Sequence, residues 1–346
     1  MHNGILYLAG QSLKELMLPI IGSELIVNLI MTLICIGILF MLVAVSALVF
    51  TLGERKICAW IQVRIGPNRV GPWGLLQSTA DMLKLLTKED IIPHGVDRWM
   101  WALSPILIFI PAAMVYALYP FDDGVIFADV NIGLFLLIAI SSQSVLPFLM
   151  GGYASNSKYA MLGGMRTVAQ MLSYEVPMVI ALMGIVMITG SLKMSAIVEA
   201  QSNIWFIFLQ PIAFLIFMVT CLVESNRPPF NMVEGESEII AGPFTEYTGM
   251  RWALFFLAEF ANLLSIGILT ATLFLGGWQG PDFLPGQLWF WIKAFLMVLI
   301  YQWIGWTFPR TRMDTILSFG WKVLLPLALV NLLLTGFGIY IFKWLL

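Results

Sequence analysis

The stretch LIVNLIMTLICIGILFMLVAVSALVFTL, residues 25–52, contains no charged side chain and no proline. A bilayer-spanning helix needs about 20 mostly apolar residues, so this stretch predicts a transmembrane helix. Similar runs recur along a chain of 346 residues that is 60% hydrophobic, and they predict further spans at 99–120, 131–152, 163–190, 203–224, 251–276, 289–309 and 317–344. Only helices and closed barrels satisfy every backbone group in lipid, and runs this continuous predict an all-α integral membrane protein with about eight transmembrane helices.

The basic residues concentrate in or beside one set of alternate loops. These loops hold most of the 18 Lys and Arg residues, whereas Lys14, Lys193 and Lys343 lie on the opposite side. Positively charged loops stay in the cytoplasm, so the pattern predicts that both termini are extracytoplasmic. No cleavable signal pattern precedes the first span. We therefore expect an extracytoplasmic segment over 1–24 and a single multi-pass domain over 25–346 in the cytoplasmic membrane.

The residues that could hold a redox cofactor are few and far apart. Cys35, Cys58 and Cys221 form no CxxC pair, and His2 and His94 are isolated. An iron–sulfur cluster, a haem or a zinc ion needs several ligands close together, so this spacing predicts no metal or cofactor bound by the chain. We interpret each cysteine as a small buried apolar residue. Any electron transfer would then use carriers on other chains.

The first cytoplasmic loop contains a predicted amphipathic helix over 74–90. Its apolar positions follow the 3.6-residue period and are Leu75, Thr79, Met82, Leu83 and Leu86. Its polar positions form a stripe of Gln77, Asp81, Lys84 and Lys88. Such a helix lies at the membrane interface, where it either seals a cavity or only anchors the loop.

The most charged part of the chain is ESNRPPFNMVEGESEIIAGPFTEYTG, residues 224–249, which we call the acidic loop. Prolines end the fifth span, and Arg227 would lie on the same face as Glu224 if the helix continued. The further glutamates are Glu234, Glu236, Glu238 and Glu246. Solvated charge is the simplest interpretation, but the apolar residues between the glutamates indicate that the loop folds back against the bundle.

Two glutamates are predicted inside the membrane. Glu175 precedes Pro177 in the fourth span, and Glu259 lies about two turns beyond Arg251 in the sixth. An ionisable residue in lipid is costly and therefore indicates a functional site. The alternative for Glu175 is a structural ion pair, either with Arg166 or with a lysine of another chain. Neighbouring carboxylates with little water cannot all ionise, so these acids would titrate as a set and could relay protons.

A set of ordered motifs resembles one family. The motifs are ERK at 54–56, RIGPNRVG at 64–71, GGYASNSKYAMLGG at 151–164, QMLSYE at 170–175, ESNRPPFNMVEGESE at 224–238, TEYTG at 245–249 and ALFFLAEF at 253–260. Together they resemble the quinone-site membrane subunit of respiratory complex I, the H-type subunit of bacteria and subunit 1 of mitochondria. The resemblance extends from about Glu24 to the C-terminus.

The resemblance implies a subunit of a proton-translocating NADH:quinone oxidoreductase that has no redox centre of its own. It implies quinone as the substrate of the complex, membrane lipid around the chain, and no nucleic acid. The implied partners are the hydrophilic quinone-site and terminal iron–sulfur subunits and the antiporter-like and small membrane subunits. The implied proton path consists of Glu175, Glu224, Glu234, Glu236 and Glu259. The implied quinone chamber and its border involve Arg55, Arg64, Asp81 and Arg227.

One position departs from the family pattern. Asn231 stands where the family usually has an aspartate, and its amide retains hydrogen bonding but cannot titrate. Two other classes stay open: the equivalent subunit of an energy-converting hydrogenase, which lacks a quinone chamber, and a stand-alone ion transporter. The RIGPNRVG and EGESE runs favour the complex I subunit, and the chain has no internal repeat typical of transporters.

Overall fold

The described chain folds into helices and contains no strand within the residues that the structure covers. The computed structural model describes residues 23–233, 235–281 and 283–345, without the side chains of 236, 237 and 342–345. The α-helices are α1 Glu24–Ile61, α2 Gln77–Thr87, α3 Arg98–Met114, α4 Gly133–Ser142, α5 Val145–Ala154, α6 Lys158–Thr189, α7 Met194–Glu199, α8 Phe206–Leu209, α9 Pro211–Glu224, α10 Glu236–Ile239, α11 Gly249–Phe274, α12 Gly286–Thr307, α13 Met313–Phe319 and α14 Leu325–Leu345. The predicted segment 1–24 lies almost entirely outside these residues.

Seven helical segments of the described chain are long and apolar enough to cross a bilayer. Three of them join consecutive elements: α3 with the 3₁₀ helix Val115–Leu118, α4 with α5, and α13 with α14. This confirms the prediction of an all-α integral membrane protein. The chain is therefore a multi-pass membrane protein.

The predicted span 203–224 is not one continuous helix. It breaks at Gln210 between α8 and α9, where Pro211 has no backbone N–H and restricts the residue before it. The buried Gln210 side chain donates a hydrogen bond to Thr335 Oγ1 at 2.7 Å and accepts one from Asn331 Nδ2 at 2.9 Å. This polar network satisfies the amide at the break inside the bundle, as a buried polar group requires.

The predicted span 131–152 is interrupted as well. Helix α4 ends at Ser142 and α5 begins at Val145, so a short break separates two ten-residue helices. Ser141 and Ser142 stand at the end of α4, where their hydroxyls reach Glu224 and Glu175. The break thus brings polar side chains into an otherwise apolar span.

Helices α6 and α11 organise the bundle. Helix α6 packs against α5, α9 and α14, while α11 packs against α1, α3 and α12. Glycines permit the closest approaches: a Cβ at Gly152 would lie 2.6 Å from Ala160 O, and one at Gly267 would lie 2.5 Å from Val298 Cγ2. Helix α9 contacts both α6 and α11, so the end of α9 lies between the two.

The amphipathic helix is shorter than predicted. The sequence pattern predicts 74–90, whereas α2 spans Gln77–Thr87. Trp73 and Gly74 have positive φ angles of 58° and 79°, which form a turn, and Lys88 is extended. Leu83 and Leu86 on its apolar face are exposed. An exposed apolar face on an amphipathic helix is suited to contact with lipid.

Candidate functional site

A cavity of about 280 Å³ lies where α1, α11 and α12 meet the acidic loop. We call it the loop cavity. Its charged lining residues are Glu54, Arg55, Arg64, Arg227 and Glu259. Its polar or sulfur-containing lining residues are Thr51, Cys58, Asn226 and Asn231, and its aromatic ones are Phe256, Phe260 and Trp306. The cavity therefore combines flat apolar surfaces with several hydrogen-bond donors.

Glu54 and Arg227 form a largely buried ion pair in the loop cavity. Arg227 Nη1 donates to both Glu54 carboxylate oxygens at 2.8 and 2.9 Å. The guanidinium also lies 4.3 Å from the centre of the Phe260 ring. Helix α9 ends at Glu224, three residues before Arg227. The condition under which Arg227 would share a helical face with Glu224 is therefore not met, and Arg227 pairs with Glu54 of α1.

Three further predicted residues lie in or beside this cavity. Arg55 Nη1 donates to Asp81 Oδ2 at 2.5 Å, and Gln77 Nε2 donates to the other oxygen of Asp81 at 3.2 Å. Arg55 and Arg64 line the cavity, whereas Asp81 does not line it but forms an ion pair with Arg55. The Arg55–Asp81 pair also ties α2 to α1.

The segment after α2 is tied to the end of the acidic loop. Arg251 Nε lies 3.0 Å from Asp90 Oδ2, and Ile91 N donates to Thr248 Oγ1 at 3.1 Å. Gly249 has a φ of +56°, and a Cβ there would lie 3.2 Å from Lys88 O. The amphipathic segment is therefore fixed at one end to α1 and at the other to α11, which carries Glu259.

Two small inner cavities, of about 10 and 20 Å³, lie deeper in the bundle. Both are lined by Ser141, Met178 and Glu224. The smaller one is also lined by Glu175, and the larger one also by Asn262 and Ser265 of α11. Glu224 therefore lies between the two inner cavities.

The two acids of the inner cavities have serine hydroxyls beside them. Glu175 accepts a hydrogen bond from Ser142, while Ser141 donates to Ile138 O at 2.9 Å and lines both inner cavities together with Glu224. Neither acid forms an ion pair with a described residue. Arg166 pairs with Glu238 instead, so the alternative of a Glu175–Arg166 ion pair is wrong.

The loop cavity and the inner cavities follow one another along α11. Glu259 is buried and lines the loop cavity, and Asn262, about one turn further on, lines the larger inner cavity. Glu224 lines both the larger and the smaller inner cavity, and Glu175 lines the smaller one. The structure thus brings three of the five predicted path residues into one ordered series.

The acidic loop folds back against the bundle, as its apolar residues predict. Met232, Val233 and Phe244 are buried. Glu238 is exposed, and the Arg166 guanidinium beside it holds the pKa of that carboxyl below its usual range. Glu234 and the side chain of Glu236 lie outside the described residues.

Sequence reasoning missed several residues of the loop cavity. Glu54 is part of the ERK motif, but no local spacing indicates that its partner is Arg227, 173 positions later. Asn226 and Phe260 also line the cavity, and both lie inside motifs that carry the family resemblance. That position in the motifs was the indication of their role that the sequence offered. No described group of His, Cys, Asp and Glu side chains could hold a metal ion.

Comparisons with known proteins place the chain in one family. The family model described as NADH dehydrogenase matches residues 33–336. The H-type subunit of the NADH-quinone oxidoreductase of Carboxydothermus hydrogenoformans is 49% identical over 317 residues, which are 91% of this chain and 90% of that protein. The H-type subunits of Anoxybacillus flavithermus and Dehalococcoides mccartyi are 49% and 48% identical, over 87% and 89% of this chain and 92% and 87% of their own lengths. Because the match covers most of both chains, this chain belongs to the NADH dehydrogenase family.

Proposed function

We propose that this chain is the quinone-site membrane subunit of a proton-translocating NADH-quinone oxidoreductase. In this proposal the loop cavity is the chain's part of the quinone chamber. The glutamates along α11, α9 and α6 couple quinone reduction to proton movement. Family membership and the names of the relatives support the enzyme class. The ordered series of cavities supports the role of this chain within it.

The lining of the loop cavity suits a flat ring with polar oxygens. Phe256, Phe260 and Trp306 supply aromatic surfaces, while Arg55 and Arg64 supply donors. Ligand sites are generally lined by apolar side chains with a few placed polar groups, and they measure about 300–1,000 Å³. At about 280 Å³, the loop cavity has room for a ring but not for a whole long-tailed quinone. Partner subunits would complete the chamber and supply the electrons.

The amphipathic helix borders the proposed entrance. Its apolar residues Leu83 and Leu86 are exposed, and Asp81 on its polar face holds Arg55 at the cavity. A long isoprenoid tail entering from lipid would pass along this helix. Asp81 therefore acts in the proposal as a positioning residue for Arg55.

The acid series supports proton transfer away from the chamber. Glu259 would take up protons at the loop cavity, and Glu224 and Glu175 would pass them on through hydroxyls and water-sized spaces. Glu234 and Glu236 are assigned to the same path on the family resemblance alone. In the proposed orientation, the acidic loop faces the cytoplasm and both termini lie outside.

The observation that carries the proposal is the joining of an aromatic, guanidinium-lined cavity to buried acids. A photoreactive quinone analogue tests it in the intact complex. After illumination and digestion, we expect label on peptides containing 51–64, 226–231 or 256–260. A long-tailed quinone without the photoreactive group should compete for this label.

The control is the same analogue applied to a Phe260→Trp variant, in which the larger ring narrows the cavity. Label should fall there while labelling of partner subunits continues. Label confined to lipid-facing residues such as Leu333 of α14, or label that the competing quinone does not reduce, would contradict the chamber assignment.

A further inference from the structure

One thiol lines the loop cavity. Cys58 lies in the last turn of α1 and is 7% exposed. The other two cysteines lie elsewhere. Cys35 is in the membrane-spanning part of the same helix, and Cys221 is fully buried in α9. Neither of them lines the loop cavity. The three cysteines therefore differ sharply in their access to a ligand in that cavity.

One guanidinium lies beside the Cys58 thiol. Arg64 Nη2 donates to the Cys58 sulfur at 3.9 Å, and Arg64 Nε donates to the neutral Gln62 Oε1 at 2.5 Å. Arg55 and Arg227 line the same cavity, where they pair with Asp81 and Glu54, and Glu259 lines it as well. A neighbouring arginine is one of the surroundings in which cysteines react with electrophiles.

Asn226 independently indicates that the cavity receives a hydrogen-bonding ligand. This residue is 3% exposed, has a φ of +52°, and lines the loop cavity. Its side-chain oxygen has no hydrogen-bond partner among the described residues. Leaving a buried acceptor without a hydrogen bond is unfavourable, so a donor from a bound molecule would stabilise this arrangement.

We propose that Cys58 is a covalent capture site for electrophilic quinones that retain an unsubstituted ring carbon. The sulfur adds to that carbon, so that an S–C bond forms and the S–H bond breaks. The sulfur electron pair reduces the ring, and the thiol proton and the displaced ring hydrogen move to the two ring oxygens. The product is a hydroquinone thioether, and no further oxidant or reductant is required.

The arrangement of the cavity favours this reaction through proximity. A ring between the aromatic lining residues would lie beside the thiol, and holding reactants together replaces a bimolecular encounter. Arg64 can donate to the ring oxygen on which charge develops, and Asn226 can accept from the hydroxyl of the product. Fully substituted quinones have no free ring carbon and would leave Cys58 unmodified. The inference shares with the proposed function only the premise that the loop cavity admits a ring.

The test is mass-spectrometric mapping of adducts in the intact complex in membranes. The probe is 2-methyl-1,4-benzoquinone, and the matched control is tetramethyl-1,4-benzoquinone, which has the same ring without a free carbon. We expect the first probe to modify Cys58 at least about tenfold faster than Cys35 or Cys221, and the control to modify none of them. An Arg64→Gln variant should slow the modification of Cys58 by about threefold or more.

Two functional readouts accompany the mapping. Turnover should fall in step with adduct formation at Cys58. A Cys58→Ser variant should keep its own starting rate under the same treatment. No adduct at Cys58 in the intact complex, or equal rates at the three cysteines, would overturn the inference.

Protection of Cys58 by a long-tailed quinone distinguishes failure of this inference from failure of the proposed function. If a long-tailed quinone slows modification of Cys58, both are supported. If Cys58 is modified selectively but the long-tailed quinone gives no protection, the capture site stands and the chamber assignment fails. If photoreactive quinone labels the cavity while Cys58 stays unmodified, the chamber assignment stands and the capture site fails.

Discussion

The loop cavity and the inner cavities both contain glutamates, but the glutamates are compensated differently. In the loop cavity, Glu54 is held by Arg227 through two hydrogen bonds of 2.8 and 2.9 Å. In the inner cavities, Glu175 accepts a hydrogen bond from Ser142, Glu224 lies beside Ser141, and neither acid forms an ion pair with a described residue. The loop cavity has a volume of about 280 Å³, against about 10 and 20 Å³ for the inner cavities. One region is suited to a ligand and the other to water and protons.

This difference separates an acid that has an ion-pair partner from acids that have none among the described residues. Glu54 compensates a buried guanidinium, and leaving that guanidinium without its carboxylate is unfavourable in a poorly hydrated site. Glu224 and Glu175 compensate no described cation, and a serine hydroxyl beside them can either donate or accept a hydrogen bond. The proposed function accordingly gives Glu54 a structural role at the loop cavity and assigns proton transfer to the inner acids.

The largest expected effect comes from breaking the ion pair between Glu54 and Arg227. Arg227→Met leaves Glu54 without its partner in a site with little water, and removing one member of a buried pair costs about 3–5 kcal/mol. We expect the complex to assemble poorly or to lose thermal stability, measured by native gel electrophoresis and thermal unfolding in detergent. The double variant Glu54→Gln/Arg227→Met should recover much of the loss. A double variant as unstable as Arg227→Met would contradict the pairing as the cause.

The next effect concerns the hydroxyl partners of the inner acids. Ser142→Ala removes the donor to Glu175, and a hydrogen bond to a charged group contributes about 1.5–3 kcal/mol. We expect quinone reduction and proton pumping to slow together by about tenfold, measured in reconstituted vesicles. Ser142→Thr keeps the hydroxyl and serves as the matched control. If Ala and Thr variants behave alike, the hydroxyl does not serve the path.

A smaller and more selective effect is expected at the entrance to the loop cavity. Leu83→Glu puts a charge on the exposed apolar face of α2, where a long quinone tail would pass. We expect turnover with long-tailed quinones to fall by about three- to tenfold more than turnover with short soluble analogues, because charge beside lipid is unfavourable. Lys84→Glu, on the polar face of the same helix, is the control for added negative charge. Equal losses for both quinone lengths would indicate a folding defect.

The smallest effect lies at the exposed surface of the acidic loop. Because the pKa of Glu238 is lowered by Arg166, their pairing stabilises the loop above the ordinary carboxyl pKa and is lost as the pH falls through the lowered value. An exposed pair contributes at most about 1 kcal/mol. The protection factors of residues 235–244, which correct for the pH dependence of intrinsic amide exchange, should therefore fall slightly at acidic pH. The Glu238→Gln variant should lack this fall, and a wild type without it would contradict the assigned pair.

Sequence reasoning was effective where one local pattern determines the outcome. Long apolar runs predicted the membrane-spanning helices, and the prolines at 228 and 229 predicted the end of α9. The sequence analysis did not predict the break at Gln210, because the surrounding run is apolar. Pro211 was nevertheless a signal for a break at that position. The pairing of Glu54 with Arg227 depends on packing between distant helices. No local period encodes such a contact.

The serine partners of the inner acids illustrate the same limit. Ser141 and Ser142 read as ordinary small residues within an apolar span. Their role depends on the break between α4 and α5 and on the packing of α6 and α9 beside it. Glu175 could be singled out from the sequence because a carboxylate in lipid is costly, and Glu224 because it begins the ESNRPPFNMVEGESE motif of the family resemblance. Their shared cavity could be found only in three dimensions.

The most direct test of the account is the pumping of protons by complexes that carry Glu224→Gln or Glu175→Gln, purified and reconstituted in vesicles. Glu238→Gln, an exposed change in the acidic loop, is the matched control. Quinone reduction and proton pumping should fall together by at least about tenfold in both inner variants, because an amide cannot relay a proton. The complexes should remain assembled, and the control should resemble the parent. Unchanged turnover and unchanged pumping in both inner variants would contradict the account.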